Sequence, residues 1–235
     1  MNNSKIIVGG VEKFSAVDFP EKLCAVIFMQ GCPWKCPFCH NASLRNVLKS
    51  NDFDWEKFIN FLKTRIGKLD AVVFSGGEPL VQDNLKDAIE EVKTLGFEIG
   101  LHTGGYRPEH LAKILPLLDW VGFDIKAPFV SEKYEQIIGV NHLSKVEQSL
   151  DLLLDWGGDF ECRTTCDPRF LSVENLIEIA QQLKTKGVKK YFLQPYTDRD
   201  SVLCMGLHTP EKADLLAFQA VISSCVREAR IRGSE

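Results

Sequence analysis

The sequence predicts an α/β protein on a mostly parallel sheet, and three observations predict it. Apolar, β-rich runs alternate with segments of helical period along the whole chain, the pattern of repeated βα units. Capping residues punctuate the helical segments: Asp54, Ser172 and Thr209 suit N-caps, Pro210 suits a first helical turn, and Gly96 and Gly187 suit C-terminal ends. Cysteines follow the first apolar run and the segment SGGEP follows the second, at the carboxyl ends of strands, where parallel βα architectures carry their chemistry.

Strands are expected at LCAVIF (23–28), DAVVFS (70–75), FEIGLH (97–102), WVGFDI (120–125), FECRTT (160–165) and KYFLQP (190–195). Helices are expected at about 54–65, 83–95, 108–117, 142–156, 172–186 and 210–230. Six strands are too few for a complete eight-stranded barrel. With no linker, low-complexity segment or repeat beyond the βα period, residues 1–235 read as one domain with a core at about 20–197, a C-terminal helix at about 210–230 and a frayed tail, RIRGSE. Phe53, Phe58 and Phe61 read as helix packing and not as a binding box.

Composition narrows the function. An apolar share of 45% with 26% charged residues is ordinary for a globular domain with a sizeable core. A net charge of −4 carries no nucleic-acid signature. No stretch approaches the roughly 20 apolar residues of a membrane span, and the start MNNSKIIVGG lacks a secretory core, so a cytoplasmic protein with neither membrane nor nucleic-acid partner is expected.

Eight cysteines in a reducing compartment point to metal and not to disulfides. Cys32, Cys36 and Cys39 lie in GCPWKCPFCH with three and then two residues between them, one thiolate short of a closed iron–sulfur site. An iron without a protein ligand can take a substrate, by the logic that separates catalytic from structural zinc. Pro33 and Pro37 stiffen the loop, and Gly31 lets the chain turn as the preceding strand ends. A structural zinc site would need a fourth ligand, and His40, adjacent to Cys39, is poorly placed to close the same tetrahedron. Cys24, Cys162, Cys166, Cys204 and Cys225 show no ligand spacing and read as buried or incidental thiols, with Cys162 and Cys166 on one strand face.

The thiol loop, with Phe38 just before its last cysteine, resembles the radical S-adenosylmethionine superfamily. SAVDFP (15–20), His40-Asn41, SGGEP (75–79), DIK (124–126), YEQIIGV (134–140) and CRTTC (162–166) follow in the order seen in glycyl-radical-enzyme activases. The likeness covers nearly all of residues 8–197 and runs toward the activating proteins of anaerobic ribonucleoside-triphosphate reductase, with pyruvate formate-lyase activase a near relative. It implies a partial TIM-type (βα)6 barrel whose lateral mouth would admit a macromolecule. It also implies a [4Fe–4S] cluster on Cys32, Cys36 and Cys39, with S-adenosyl-L-methionine chelated by the fourth iron.

Further roles follow from the same resemblance, each beside a plainer reading. Gly76 and Gly77 make a tight turn, or else let backbone groups approach the cofactor, with Glu78 meeting its ammonium. Asp124 and Lys126 share one strand face as a simple salt bridge, or else Lys126 meets the cofactor carboxylate while Asp124 helps bind a monovalent cation near it. Arg163 is a structural charge or a cofactor contact. Phe38 is core packing or lies against adenine, and Gln194 and Tyr196 line the mouth. The relatives' DTNG run is His102-Thr103-Gly104-Gly105 here: Thr103 keeps a hydroxyl, whereas an imidazole replaces the carboxylate that serves the cation, leaving Asp124 to orient His102 or Lys126.

The function expected is therefore a radical activase, an oxidoreductase that forms a 5′-deoxyadenosyl radical and leaves a glycyl radical on a partner enzyme, fed by a flavodoxin- or ferredoxin-type electron donor. The competing readings are a small-molecule enzyme resembling 7-carboxy-7-deazaguanine synthase and a noncatalytic metal-binding module. The second leaves SGGEP and DIK without a purpose.

Overall fold

All six expected strands are present, each within one residue at either end. The computed structural model describes residues 6–47, 52–196 and the strand at 228–231. Its strands are β1 (Val8–Ser15), β2 (Cys24–Met29), β3 (Ala71–Gly76), β4 (Glu98–Thr103), β5 (Trp120–Asp124), β6 (Phe160–Cys166), β7 (Lys190–Pro195) and β8 (Glu228–Ile231). Its helices are α1 (Trp55–Lys63), α2 (Leu85–Lys93), α3 (Pro108–Ile114), α4 (Ser131–Ile138), α5 (Leu143–Trp156) and α6 (Val173–Lys186). The α/β class with mostly parallel strands is the one expected.

The described residues fall into two compact units, each made up of the described residues within the spans that bound it. The first spans Met1–Lys35, Cys39–Phe123 and Ser144–Phe160. In it β2, β3 and β4 pair in parallel, as do β4 and β5, while β1 runs antiparallel to β2. β2 and β3 are buried almost throughout, as central strands of a covered parallel sheet are. Phe19, Cys24, Val26, Ala71, Val73 and Trp120 form a core cluster, with the Phe19 and Trp120 rings 5.2 Å apart. The second unit spans Cys36–Phe38, Asp124–Leu143 and Glu161–Glu235, and in it β6, β7 and β8 pair in parallel.

Local chemistry sets the helix ends. Asp54 accepts from the Lys57 N–H at 2.9 Å, and Ser172 forms a reciprocal capping box with Asn175. Gly187 closes α6 at φ 89°, a left-handed conformation that glycine adopts without penalty. The helix expected over 108–117 stops at Ile114 and tightens into a 3-10 turn at Leu115–Leu117, because Pro116 has no N–H to donate. Phe58 is buried, with Phe53 and Phe61 each 6.0 Å from it, so these rings are helix packing as expected.

Three elements depart from expectation. β1 was not foreseen: a glycine pair and the charges of VEK hide a solvent-facing strand whose register slips twice against β2. The helix at Ser131–Ile138, within YEQIIGV and the residues before it, was also missed. The helix expected at 210–230 is corrected at its end, where residues 228–230 belong to β8 and supply hydrogen bonds to the edge of β7. That correction takes Arg230 and Ile231 of the expected frayed tail with it, while Thr209, Pro210 and the rest of that helix lie outside the described residues.

Candidate functional site

In the first unit, two sequence motifs are locked together through their backbones. Two residues past the end of β2, Gly31 at φ 101° turns the chain into the thiol loop. The loop closes on itself where Gly31 N–H donates to the Leu44 carbonyl at 2.7 Å and Cys32 N–H to that of Arg45 at 3.0 Å. It also closes on SGGEP: Gly77 N–H donates to Met29 at 2.9 Å, Glu78 N–H to Gly31 at 2.8 Å, and the Asn41 amide to Gly76 at 3.3 Å. No side chain fits in this seam. A Cβ on Gly76 would lie 2.2 Å from the Met29 nitrogen, and one on Gly77 2.3 Å from the Gly31 oxygen.

Glu78 sits at the centre of a cradle beside that seam, 2% exposed. One carboxylate oxygen accepts from the Thr103 hydroxyl at 2.5 Å and from Leu80 N–H at 3.2 Å, and the other accepts from Gly104 N–H at 2.8 Å. The Thr103 oxygen in turn accepts from Gly105 N–H at 2.9 Å, so its one proton is committed to Glu78. The buried ring of Trp34, between Cys32 and Cys36 in sequence, packs on Gly104 so closely that a Cβ there would lie 2.0 Å from it.

His102 has defined partners on both ring nitrogens. Nε2 lies 2.8 Å from the Asp18 carbonyl, which can only accept, so Nε2 carries a proton and donates, and Nδ1 shares a hydrogen bond with the Ser75 hydroxyl at 3.2 Å. The imidazole thus ties SAVDFP to the ends of β3 and β4. Ser15 supports the segment by donating to Asp18 at 2.5 Å.

The second unit gathers the remaining charges. Asp124 divides its oxygens between two cations: Oδ1 receives Arg163 Nη2 at 2.8 Å and Nε at 3.0 Å, and Oδ2 receives Lys126 Nζ at 2.9 Å. Of the two partners weighed for Asp124, Lys126 is thus bonded to it, and Arg163 joins. Burial works against the Lys126 ammonium, but the Asp124 carboxylate, with Cys36 adding to it, leaves its pKa raised. The Lys126 N–H donates to the Tyr134 hydroxyl at 3.2 Å, and burial pushes that phenol up as well. Cys36 and Phe38 are buried, with Phe38 6.3 Å from Phe170. Gln194 is half-buried on β7, paired with Thr165.

The donor set suits an iron–sulfur group. Thiolate is the ligating form of cysteine, and burial drives Cys24 and Cys166 up to about 12 and Cys162 higher still, which disfavours it at those three. Cys32 and Cys39 are half-buried, and Cys36 lies close enough to Lys126 to feel its charge. Among the described residues no three His, Cys, Asp or Glu converge on a single point. In a cluster of several irons each thiolate binds its own metal.

Sequence reasoning passed over Trp34, Gly104 and Tyr134. A tryptophan inside a cysteine loop and a glycine directly after Thr103 were usable signals. Nothing in YEQIIGV marks the hydroxyl of Tyr134 as the acceptor for a buried N–H. Among the described residues no helix is long and apolar enough to cross a membrane.

A profile of the radical SAM superfamily matches residues 26–166. A Methanocaldococcus jannaschii protein provisionally named glycyl-radical enzyme activating enzyme MJ1227 is 33% identical over 210 residues, covering 84% of this chain and 82% of its own. The pyruvate formate-lyase-activating enzyme of Clostridium pasteurianum is 28% identical over 215 residues, covering 88% and 87%. A radical SAM methyltransferase from Sphaerobacter thermophilus shares the fold with a TM-score of 0.70 at 15% identity, over 91% of this chain and 67% of that one. These agree with the expected fold class, an α/β partial (βα)6 barrel. Thiol loop, glycine-rich strand end and matched profile lead to one conclusion: the chain belongs to the radical SAM superfamily, enzymes whose cofactors are a [4Fe–4S] cluster and S-adenosylmethionine.

Proposed function

We propose that the protein is a glycyl-radical-enzyme activase and that its partner is an anaerobic ribonucleoside-triphosphate reductase. The observation that carries the reading is the backbone interlock between the thiol loop and SGGEP, in which the N–H of the buried Glu78 donates to Gly31, the residue before Cys32. Relatives named as activating enzymes, aligned over more than four fifths of their own lengths, support the class of reaction. The order of motifs from SAVDFP to CRTTC supports the choice of partner.

Cys32, Cys36 and Cys39 would hold the cluster. When bound, it would supply the one electron that cleaves S-adenosylmethionine to methionine and a 5′-deoxyadenosyl radical, and hydrogen-atom transfer from a glycine Cα–H would then give 5′-deoxyadenosine and a glycyl radical. Glu78, fixed in place by three hydrogen-bond donors, would receive the cofactor ammonium. Gly76 and Gly77 leave room for the backbone that runs into the thiol loop and would offer their own backbone groups to the cofactor, and Thr103 orients Glu78. Lys126 and Arg163, both aligned by Asp124, would meet the cofactor carboxylate, and Phe38 the adenine. Gln194 is assigned to the mouth. His102, anchored to Asp18 and Ser75, stands as a strap where the relatives carry a carboxylate. The chain needs no acid–base pair for hydrogen abstraction; it supplies orientation and excludes water. A flavodoxin- or ferredoxin-type donor suits a one-electron step at the reducing end of cluster potentials.

The test is anaerobic. The protein is reconstituted with iron and sulfide, reduced with dithionite, and given S-adenosylmethionine with and without candidate glycyl radical enzymes. Deoxyadenosine together with a partner-dependent glycyl radical signal is expected. Deoxyadenosine formed with a small metabolite alone would overturn the activase reading in favour of a small-molecule enzyme.

A further inference from the structure

The segment after β6, Asp167-Pro168-Arg169-Phe170, has no part in the assignments above, yet its contacts lead to the cysteine loop. Asp167 is 1% exposed. It binds the Arg169 guanidinium through both oxygens, with Nε at 2.7 Å from Oδ1 and Nη2 on Oδ2, and also accepts the Arg169 N–H at 3.1 Å. Its carbonyl accepts from Phe170 at 3.0 Å and Leu171 at 2.9 Å, so the turn is fixed from both sides.

A guanidinium held as a fork cannot rotate freely. Its plane is presented to two rings, with Cζ 5.4 Å from the centre of Phe170 and 5.1 Å from that of Tyr196. Tyr196 is itself fixed by its N–H to the Cys166 carbonyl at 3.0 Å. The Phe170 ring meets Phe38, tilted by 52°, and Phe38 lies between Cys36 and Cys39 in sequence. A buried carboxylate, a forked cation and two aromatic rings thus form one continuous line of contacts.

We infer that Asp167, Arg169 and Phe170 form a brace that orients Phe38, so that Phe170 and Arg169 are positioning residues for the adenosine end of the cofactor. The inference rests on the assignment of Phe38 to adenine and is independent of which partner receives the radical. Phe170 is 40% exposed, so its replacement should disturb the fold little.

The experiment measures S-adenosylhomocysteine binding by calorimetry to the anaerobically reconstituted protein, beside iron content and melting temperature, for wild type, Phe170→Leu, Phe170→Tyr and Arg169→Gln. The brace requires Phe170→Leu and Arg169→Gln to bind roughly three- to tenfold more weakly, the scale of one aromatic contact, with iron content unchanged. Phe170→Tyr, which keeps the ring, should restore wild-type affinity, and turnover of Phe170→Leu should show a raised KM with kcat preserved. Equal affinity in Phe170→Leu and wild type overturns the brace. So does an equal loss in Phe170→Leu and Phe170→Tyr, because the ring would then not be what matters. Failure of the activase reading would appear elsewhere, as a missing glycyl radical with these affinities intact.

Discussion

Replacing Gly77 by alanine tests whether the seam between the thiol loop and SGGEP sets the reaction geometry. Gly77 does not have a positive φ, so the added methyl acts by contact alone. It would lie 2.3 Å from the Gly31 oxygen and 2.8 Å from its carbon. Those atoms are backbone and cannot swing aside, so the loop must withdraw by at least 0.7 Å, from 2.3 to 3.0 Å. Overpacking of this kind costs about 1–3 kcal/mol, and weakening the bond from Glu78 N–H to Gly31 adds about 1 kcal/mol. The expected loss is therefore about 2–4 kcal/mol, a fall of roughly 4–16 °C in melting temperature for a domain of this size. A displacement near 1 Å at a reacting centre costs about a hundredfold in rate. Deoxyadenosine formation, measured anaerobically and normalised to bound iron, should fall by that order. Gly10→Ala is the control, because a Cβ there meets nothing within 4 Å. A Gly77→Ala enzyme with wild-type melting and a rate within threefold of normal would refute the reasoning.

Cys36→Ala should lose its iron after reconstitution while Cys24→Ala keeps it, as read by colorimetric iron and visible absorbance. Asp124→Asn removes the carboxylate shared by Arg163 and Lys126 and should cost about 2–4 kcal/mol, seen as a lower melting temperature and weaker S-adenosylhomocysteine binding. Ser172→Ala breaks the α6 capping box for about 1 kcal/mol without changing the rate. Cys24 and Cys166 stay protonated in the folded chain up to about pH 12, against a reference value of 9.0. The unfolded state therefore binds fewer protons between those values, and stability of the iron-free protein should fall as pH rises from about 9 to 12, by up to about 1.4 kcal/mol per unit and thiol. Alkylation at pH 8 should leave both thiols unmodified until unfolding.

The six buried strands were legible because unbroken apolar runs such as CAVIFM carry their own signal. β1 and β8 were not, because an edge strand is defined by the neighbour it pairs with, and VGGVEKFS and EARI announce little alone. In the candidate site, the residue types and spacings of Cys32, Glu78 and Lys126 showed in the chain. The bonds that join Glu78 to Gly104 and Glu78 to Gly31 did not, because backbone groups have no side-chain identity to read. Arg169 was invisible for another reason: an arginine after a strand is unremarkable until the structure places a buried aspartate under it.

Trp34 gives the interlock an optical consequence. It is one of four tryptophans, and its ring rests against Gly104 within the sequence span of the thiol loop. Iron–sulfur clusters absorb broadly across the wavelengths where indole emits, so its fluorescence should dim as iron and sulfide enter and recover on chelation. A Trp34→Phe variant would isolate that contribution from Trp55, Trp120 and Trp156. The chain thereby carries its own gauge of cluster assembly, readable in real time without a label.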